Sequence, residues 1–189
     1  MKQTIGFALT GSFCTLEKTF AAMEVLKNHY NLLPIVSERV AGTDTRFFKK
    51  EEVLERLESI CGMPPLQTIT EVEPLGPKNM LDLLVICPCT GNTLSKMALG
   101  ITDTCVTMAA KSHRRRGGKL LIALSTNDAL SGSSKSLGIM TDKKGVFFVP
   151  MKQDSPDEKP ASLCFDPTLL PFAIDAALSG HQLQPFFLK

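Results

Sequence analysis

The chain has 189 residues, 43% apolar and 21% charged, which excludes a disordered chain and lets roughly 70% of the unfolded surface be buried without disulfides or a structural metal. At this length a single domain over residues 1–189, ending in a short helix and tail, is expected. Lysine and arginine number 21 against 19 aspartate and glutamate, a net charge of +2, too slight for a protein whose main task is to neutralise nucleic-acid phosphates or an anionic membrane.

Short apolar runs alternate with helix-period stretches along the chain. Residues 4–10 (TIGFALT) form a first predicted strand, broken by Gly11-Ser12, and Leu16, Phe20, Met23 and Leu26 then recur at helical spacing over 16–28. Residues 32–36 (LLPIV) form a second strand with Ser37 as its terminal polar residue, and 50–60 a helix that Gly62 and Pro64-Pro65 end. The run 81–87 (LDLLVIC) is nearly all apolar, the pattern of a central strand covered on both faces. Helices follow over 92–99 and 106–113, a fourth strand over 119–124, a helix over 130–140 and a fifth strand over 146–149. A polar connector over 152–160 leads to a last helix over 169–178. This alternation predicts an α/β fold of three layers, a doubly wound, Rossmann-like parallel sheet of five or six strands. No apolar run approaches the ~18–20 residues of a membrane span, and the N-terminus lacks the apolar core of a signal peptide. With several of the six cysteines in or beside apolar segments, a reduced, cytoplasmic protein is expected.

Doubly wound sheets bind ligands at the carboxyl ends of their strands. The segments there, 10–15, 37–45, 88–93 and 125–134, are all rich in Gly, Ser, Thr and Asn, which donate hydrogen bonds and let the backbone approach an anion. One such loop is ordinary turn and cap chemistry; four at one edge point to a phosphate-bearing ligand. The first loop has one glycine where a dinucleotide cradle has three, and it lacks the Gly-Lys-Ser/Thr ending of a P-loop. Gly11-Ser12 before a helix suits a single phosphate, so a mononucleotide such as FMN fits better than NAD. No metal site is expected: Cys87, Cys89 and Cys105 have no second Cys/His pair at ligand spacing. Cys14, near a helix N-terminus, is a candidate reactive thiol. Arg114-Arg115-Arg116, between a helix and Gly117-Gly118, reads as a helix C-terminal cap rather than a nucleic-acid patch, and His181 as a solvated residue.

Here the residues carry a resemblance. Gly11-Ser12, Ser37, Pro88-Cys89-Thr90-Gly91-Asn92-Thr93 and Gly100-Ile101-Thr102-Asp103-Thr104-Cys105 resemble the FMN-binding segments of the flavin-containing cysteine decarboxylase superfamily, whose Pro-Ala-Ser-Ala-Asn-Thr signature is matched at Pro88, Asn92 and Thr93. More narrowly, Thr45-Arg46-Phe47, Pro74-Leu75-Gly76-Pro77-Lys78, Met108-Ala109-Ala110-Lys111, Ser125-Thr126-Asn127-Asp128-Ala129-Leu130 and Phe147-Phe148-Val149-Pro150 are similar to the flavoprotein subunits of dipicolinate-forming synthases. The resemblance runs from the first strand to Gln182-Leu183-Gln184-Pro185. It implies a flavodoxin-like, homo-oligomeric flavoprotein oxidoreductase in the mother cell of a sporulating bacterium. With the synthase's dehydrogenase-like A-type partner it would form pyridine-2,6-dicarboxylate from a dihydro- or hydroxytetrahydro-precursor. By position, Gly11 and Ser12 would hold the FMN phosphate, with Ser37 near it. Pro88, Thr90, Asn92, Thr93, Thr102, Asp103, Thr104 and Cys105 would line the flavin. NAD(P) on the dehydrogenase-like partner is the other hydride acceptor that the resemblance leaves open.

The chain departs from the superfamily in two places. It has no His between His29 and His113, where the decarboxylases carry an acid–base group. Their tryptophan-containing substrate clamp is reduced to Asn127, and Ser125 stands where the flavin prenyltransferases carry an arginine. A decarboxylase-like reaction, or a non-catalytic role stabilising the dehydrogenase-like partner, are the alternatives. For a dicarboxylate substrate, Arg46 is the candidate clamp and Asn127 a candidate polar contact, arginine being the best-shaped donor for carboxylates.

Overall fold

The computed structural model describes residues 2–189. Seven strands, β1 (Thr4–Leu9), β2 (Asn31–Val36), β3 (Leu83–Cys89), β4 (Lys119–Thr126), β5 (Val146–Phe148), β6 (Met151–Lys152) and β7 (Leu163–Phe165), alternate with eight α-helices. The helices are α1 (Leu16–Leu26), α2 (Glu38–Gly42), α3 (Lys50–Cys61), α4 (Ile69–Val72), α5 (Gly91–Leu99), α6 (Cys105–Arg114), α7 (Ser134–Asp142) and α8 (Leu170–Leu178). The parallel strands run in the order β2-β1-β3-β4-β5, the flavodoxin-like order.

Side chains alternate across this sheet with period two, so each strand feeds two cores. Phe7, Val85 and Leu121 stand in register and pack with Phe20, Leu57 and Ile174 of α1, α3 and α8. Their neighbours Ala8, Ile86 and Ile122 face Leu94, Val106 and Leu137 of α5, α6 and α7. All seven residues of β3 are buried, as a central strand between two helical layers requires. Each large apolar side chain so buried contributes about 1.5–3 kcal/mol.

The predicted count of five or six strands is corrected to seven, and the sheet is mixed. β6 and β7 pair antiparallel with each other, and β7 pairs antiparallel with the carboxyl end of β4 (Ser125↔Cys164, Thr126↔Leu163). Strands of two and three residues are too short to show a period in sequence. β3 lies two residues later than predicted, carrying Pro88 within it, and its register with β4 shifts between Ile86 and Cys89, because proline has no N–H for the ladder. The helix expected over 130–140 begins instead at Ser134, since the Asp128 carbonyl accepts from the N–H groups of Ser131 and Ser133 and holds a turn there. Gly62 ends α3 as predicted, in the left-handed region at φ 72° with its N–H on the Glu58 carbonyl.

The basic run at the end of α6 does not make the side-chain cap expected of it: the partners of Arg114, the last residue of α6, lie beyond the helix. Arg114 donates to the carbonyls of Gly118, Lys144 and Gly145, stitching the end of α6 to the turn before β5. His113 is buried beneath Gly118, where any added methyl would strike the imidazole, and its Nε2 lies 3.0 Å from the Lys119 carbonyl oxygen. Burial, the largest cause, holds its pKa below the ordinary histidine value, with the Arg114 charge acting the same way against the Lys119 hydrogen bond and Asp82. The unfolded chain therefore binds a proton more readily than the folded one. Stability from this group is complete above about pH 6.5 and is lost as pH falls through the lower folded value. Thermal unfolding of the protein should show Tm falling as pH drops below about 6.5, and His113→Gln should flatten that slope while lowering Tm throughout.

Candidate functional site

Three of the four predicted loops meet at the carboxyl ends of β1, β3 and β4, and buried Thr10 ties two of them together. Its hydroxyl donates to the Pro88 carbonyl at 2.8 Å and accepts from the Thr90 N–H at 2.9 Å. Its own N–H also reaches the Pro88 carbonyl. Ser12 follows on a tight turn, and its Oγ lies 2.9 Å from Ser125 Oγ at the end of β4. Ser125 in turn accepts from the Cys164 thiol of β7 at 3.7 Å. Cys14 is exposed, with Sγ 4.0 Å from Ser12 Oγ, at a helical turn of three residues ahead of α1.

Ser37 is not merely the end of a strand: it is the N-cap of α2, accepting from the Val40 N–H at 3.4 Å. The next residue, Glu38, accepts the Cys105 N–H at 2.7 Å, so one carboxylate bridges α2 to the first turn of α6. Thr104 caps α6 in a reciprocal pair with Thr107. Cys105 is buried, and burial pushes its thiol up to about 12, so it is a neutral wall residue. Thr90 caps α5 through the Thr93 N–H, and Thr93 is buried beside it while Asn92 is exposed. Gly91 packs against a knot in which the hydroxyls of Thr126 and Ser133 donate to Asp128 Oδ1 at 2.6 and 3.0 Å.

The remaining predicted residues stand apart. Asp103 is exposed and paired to Lys96 at 2.8 Å, and that hydrogen bond holds its carboxyl below the usual range. Thr102 lines a cavity of about 430 Å³ between α5, α6 and α7. Arg46 and Asn127 are exposed, Arg46 with its guanidinium carbon 4.8 Å from the centre of the Phe47 ring. Thr10, Glu38 and Asp128 lie within the predicted strand-end loops without being singled out there, and Cys164 of β7 lies outside them. Only Thr10 carries a signal, as the polar residue closing an apolar strand. The burial of Cys87 and Cys89 raises both thiols, Cys87 to about 12.

The donor chemistry of this edge fits a phosphate monoester joined to a heteroatom-rich ring. It offers the hydroxyls of Ser12, Thr90 and Thr104 and the free N–H groups that begin α5 and α6. Its one bridging carboxylate, Glu38, is already committed to Cys105.

A sheet of this order with hydroxyl-rich helix starts at its carboxyl edge defines a class, and comparison with known proteins agrees. Residues 1–153 match the family model described as Flavoprotein, and the chain belongs to that family. It is 41% identical over 186 residues, covering 98% of this chain and 93% of the relative, to the B subunit of dipicolinate synthase of Bacillus subtilis (strain 168). The crystal structure of the B subunit of dipicolinate synthase from Bacillus halodurans C superposes with a TM-score of 0.90 at 37% identity, over 100% of this chain and 99% of that one. The FMN-dependent cysteine decarboxylase SpaF shares the fold, at a TM-score of 0.69 and 17% identity over 95% and 96% of the two chains.

Two glycines of this edge separate packing from ligand approach. A methyl on Gly91 would lie 2.5 Å from Ser133 Oγ, 2.6 Å from Asp128 Oδ1 and 2.7 Å from Thr126 Oγ1, whereas one on Gly11 would meet nothing nearer than 3.5 Å. In urea denaturation Gly91→Ala should therefore cost about 1–3 kcal/mol. Gly11→Ala should change stability by no more than about 1 kcal/mol.

Proposed function

We propose that this chain is the flavin-binding component of a dipicolinate synthase. It would act with the synthase's dehydrogenase-like partner, the A-type component, to oxidise a dihydro- or hydroxytetrahydro-dipicolinate precursor to the aromatic pyridine dicarboxylate. The observation that carries this reading is 41% identity to a dipicolinate synthase B subunit over 98% of the chain. The hydroxyl-rich edge built on Thr10, Ser12 and Thr90 supports it. Homo-oligomerisation and action in the cytoplasm of a sporulating mother cell belong to the same reading.

In this proposal Ser12, the Gly11 backbone and the start of α1 hold the FMN phosphate, with Ser37 beside them. Thr90, Thr93, Thr104 and Cys105 line the ring, and Pro88 supports it. FMN supplies a two-electron acceptor, and forming the pyridine ring from its dihydro precursor releases two electrons and two protons. The chain's own residues orient and neutralise. Arg46, exposed and with its guanidinium carbon 4.8 Å from the centre of the Phe47 ring, offers a guanidinium fork to one carboxylate of the substrate. Asn127, just beyond the end of β4, adds a neutral donor and acceptor.

One observation favours a second reading, in which the chain stabilises the dehydrogenase-like partner without doing chemistry. The bridging carboxylate of the edge, Glu38, holds the Cys105 N–H, and the Cys105 thiol is held neutral, so that thiol offers no thiolate base. In that reading the release of protons falls to water or to that partner, where NAD(P) is the other acceptor of the hydride.

The visible absorption spectrum of the purified chain, before and after FMN is added, separates the two. A flavin band that survives gel filtration and is bleached anaerobically by the precursor, with the dehydrogenase-like partner present, is expected. A colourless chain that ignores FMN yet is still required for that partner to form the product would establish the second reading. Ser12→Ala should weaken FMN binding by about 10- to 100-fold, the loss of one hydrogen bond to a charged phosphate, read by quenching of flavin fluorescence. Arg46→Ala should raise KM for the precursor by about tenfold or more with the flavin spectrum unchanged, and an unaltered KM would remove Arg46 from the substrate site.

A further inference from the structure

The cavity of about 430 Å³ between α5, α6 and the turn from α7 to β5 has a chemistry that the strand-end site does not explain. Four cations line it, Lys111, Arg114, Arg115 and Lys143, and among the described residues no carboxylate does. Its floor is apolar, formed by Met97, Leu120 and Met140. None of the four cations is in an ion pair among the described residues.

Two of the charges are fixed in place by neutral partners. Arg114, half-buried, donates to the carbonyls of Gly118, Lys144 and Gly145. Lys143 donates to the carbonyls of Met97 and Ala98 at the end of α5. These bonds orient the charges without neutralising them. These backbone contacts account for this pair and not for the other two. Lys111 and Arg115 are exposed and stand four residues apart at the end of α6, an arrangement of like charges that costs a helix about 0.2–0.5 kcal/mol. Four like charges around an apolar floor repel one another, and an anion entering between them would relieve that repulsion.

We propose that this cavity is a second ligand site, for a compact organic dianion: a planar or apolar body, seated on the methionine and leucine floor, carrying two carboxylates for the cationic rim. The volume suits a small molecule, and a concave apolar floor is a poor match for a nucleic-acid backbone, whose charges lie on a convex, hydrated surface. That the ligand is an anion with an apolar body follows from the cavity; the aromatic dicarboxylates used to probe it rest on the proposed function. One consequence rests on the proposed function: the product of that reaction is itself an aromatic dicarboxylate, so the site would let the protein bind its product away from the strand ends.

Isothermal titration of the full chain with pyridine-2,6-dicarboxylate and with benzene-1,3-dicarboxylate, in chelator-treated low-salt buffer, tests this. Benzoate and a short single-stranded oligonucleotide serve as comparators. Both dicarboxylates should bind more tightly than benzoate, and the double variant Lys111→Glu/Arg115→Glu should weaken them by about tenfold or more with Tm and FMN binding unchanged. Dicarboxylate binding that is equal in the double variant would place those ligands at the strand-end loops and overturn the proposal. So would an absence of binding up to about 10 mM, or an oligonucleotide that binds in preference to both. Because flavin binding and the double variant's effect are read separately, a chain without flavin that still loses dicarboxylate binding in the variant would reject the proposed function and keep this site.

Discussion

Pro88 stands inside the central strand of a parallel sheet, where it offers a carbonyl and no N–H. The ladder to β4 slips at that point, and the backbone beyond it needs another partner. Buried Thr10 supplies one: a single hydroxyl takes the Thr90 N–H and gives its own proton to the Pro88 carbonyl. That fixes where α5 begins, and with it Thr90, Thr93 and the glycine against which the Asp128 knot packs. The whole hydroxyl-rich edge hangs from this exchange between β1 and β3. It is placed by backbone chemistry before any ligand is considered.

What the residues disclose unaided follows from how local the controlling physics is. The parallel strands β1 to β4 are legible because each is long enough to show its period or a continuous apolar run, and α3 because Gly62 marks its end. α2 and α4, at five and four residues, fall below one reliable period, and so does the β6–β7 hairpin. The start of α7 is not legible because a carbonyl of Asp128, not a residue preference, holds the preceding turn. At the edge itself, loop composition and order after each strand identify Ser12, Ser37 and Thr90. The bridges that organise them join residues far apart in sequence: 67 positions separate Glu38 from Cys105 and 113 separate Ser12 from Ser125. No local pattern encodes such pairs. The basic run at the end of α6 shows the opposite case. Its place at a helix end is visible in the sequence, while the cavity it shares with Lys143 exists only once α6, α7 and β5 are packed together.

Two regions of the protein carry its polar chemistry in different forms. On the strand-end edge the polar groups are mostly neutral hydroxyls and amides, and the one carboxylate that spans it is held by an amide. Along the outer side of α6 the groups are formal cations with only carbonyls for company. Neutral donors change little with ionic strength, whereas a cluster of unpaired cations is sensitive to it. Salt therefore distinguishes the two regions in a single molecule.

The hydroxyl pair formed by Ser12 and Ser125 has a property that an amide or an ammonium in its place would lack. Either oxygen can be donor or acceptor, and a hydroxyl reverses that role by rotating one hydrogen. With Ser12 donating inward, the first loop presents a lone pair; with Ser125 donating instead, the Ser12 proton is free to turn outward. The contact thus behaves as a two-position rotor whose heavy atoms need not move. An anion arriving at the loop would select the setting with the Ser12 proton outward, without rebuilding the backbone that Thr10 holds.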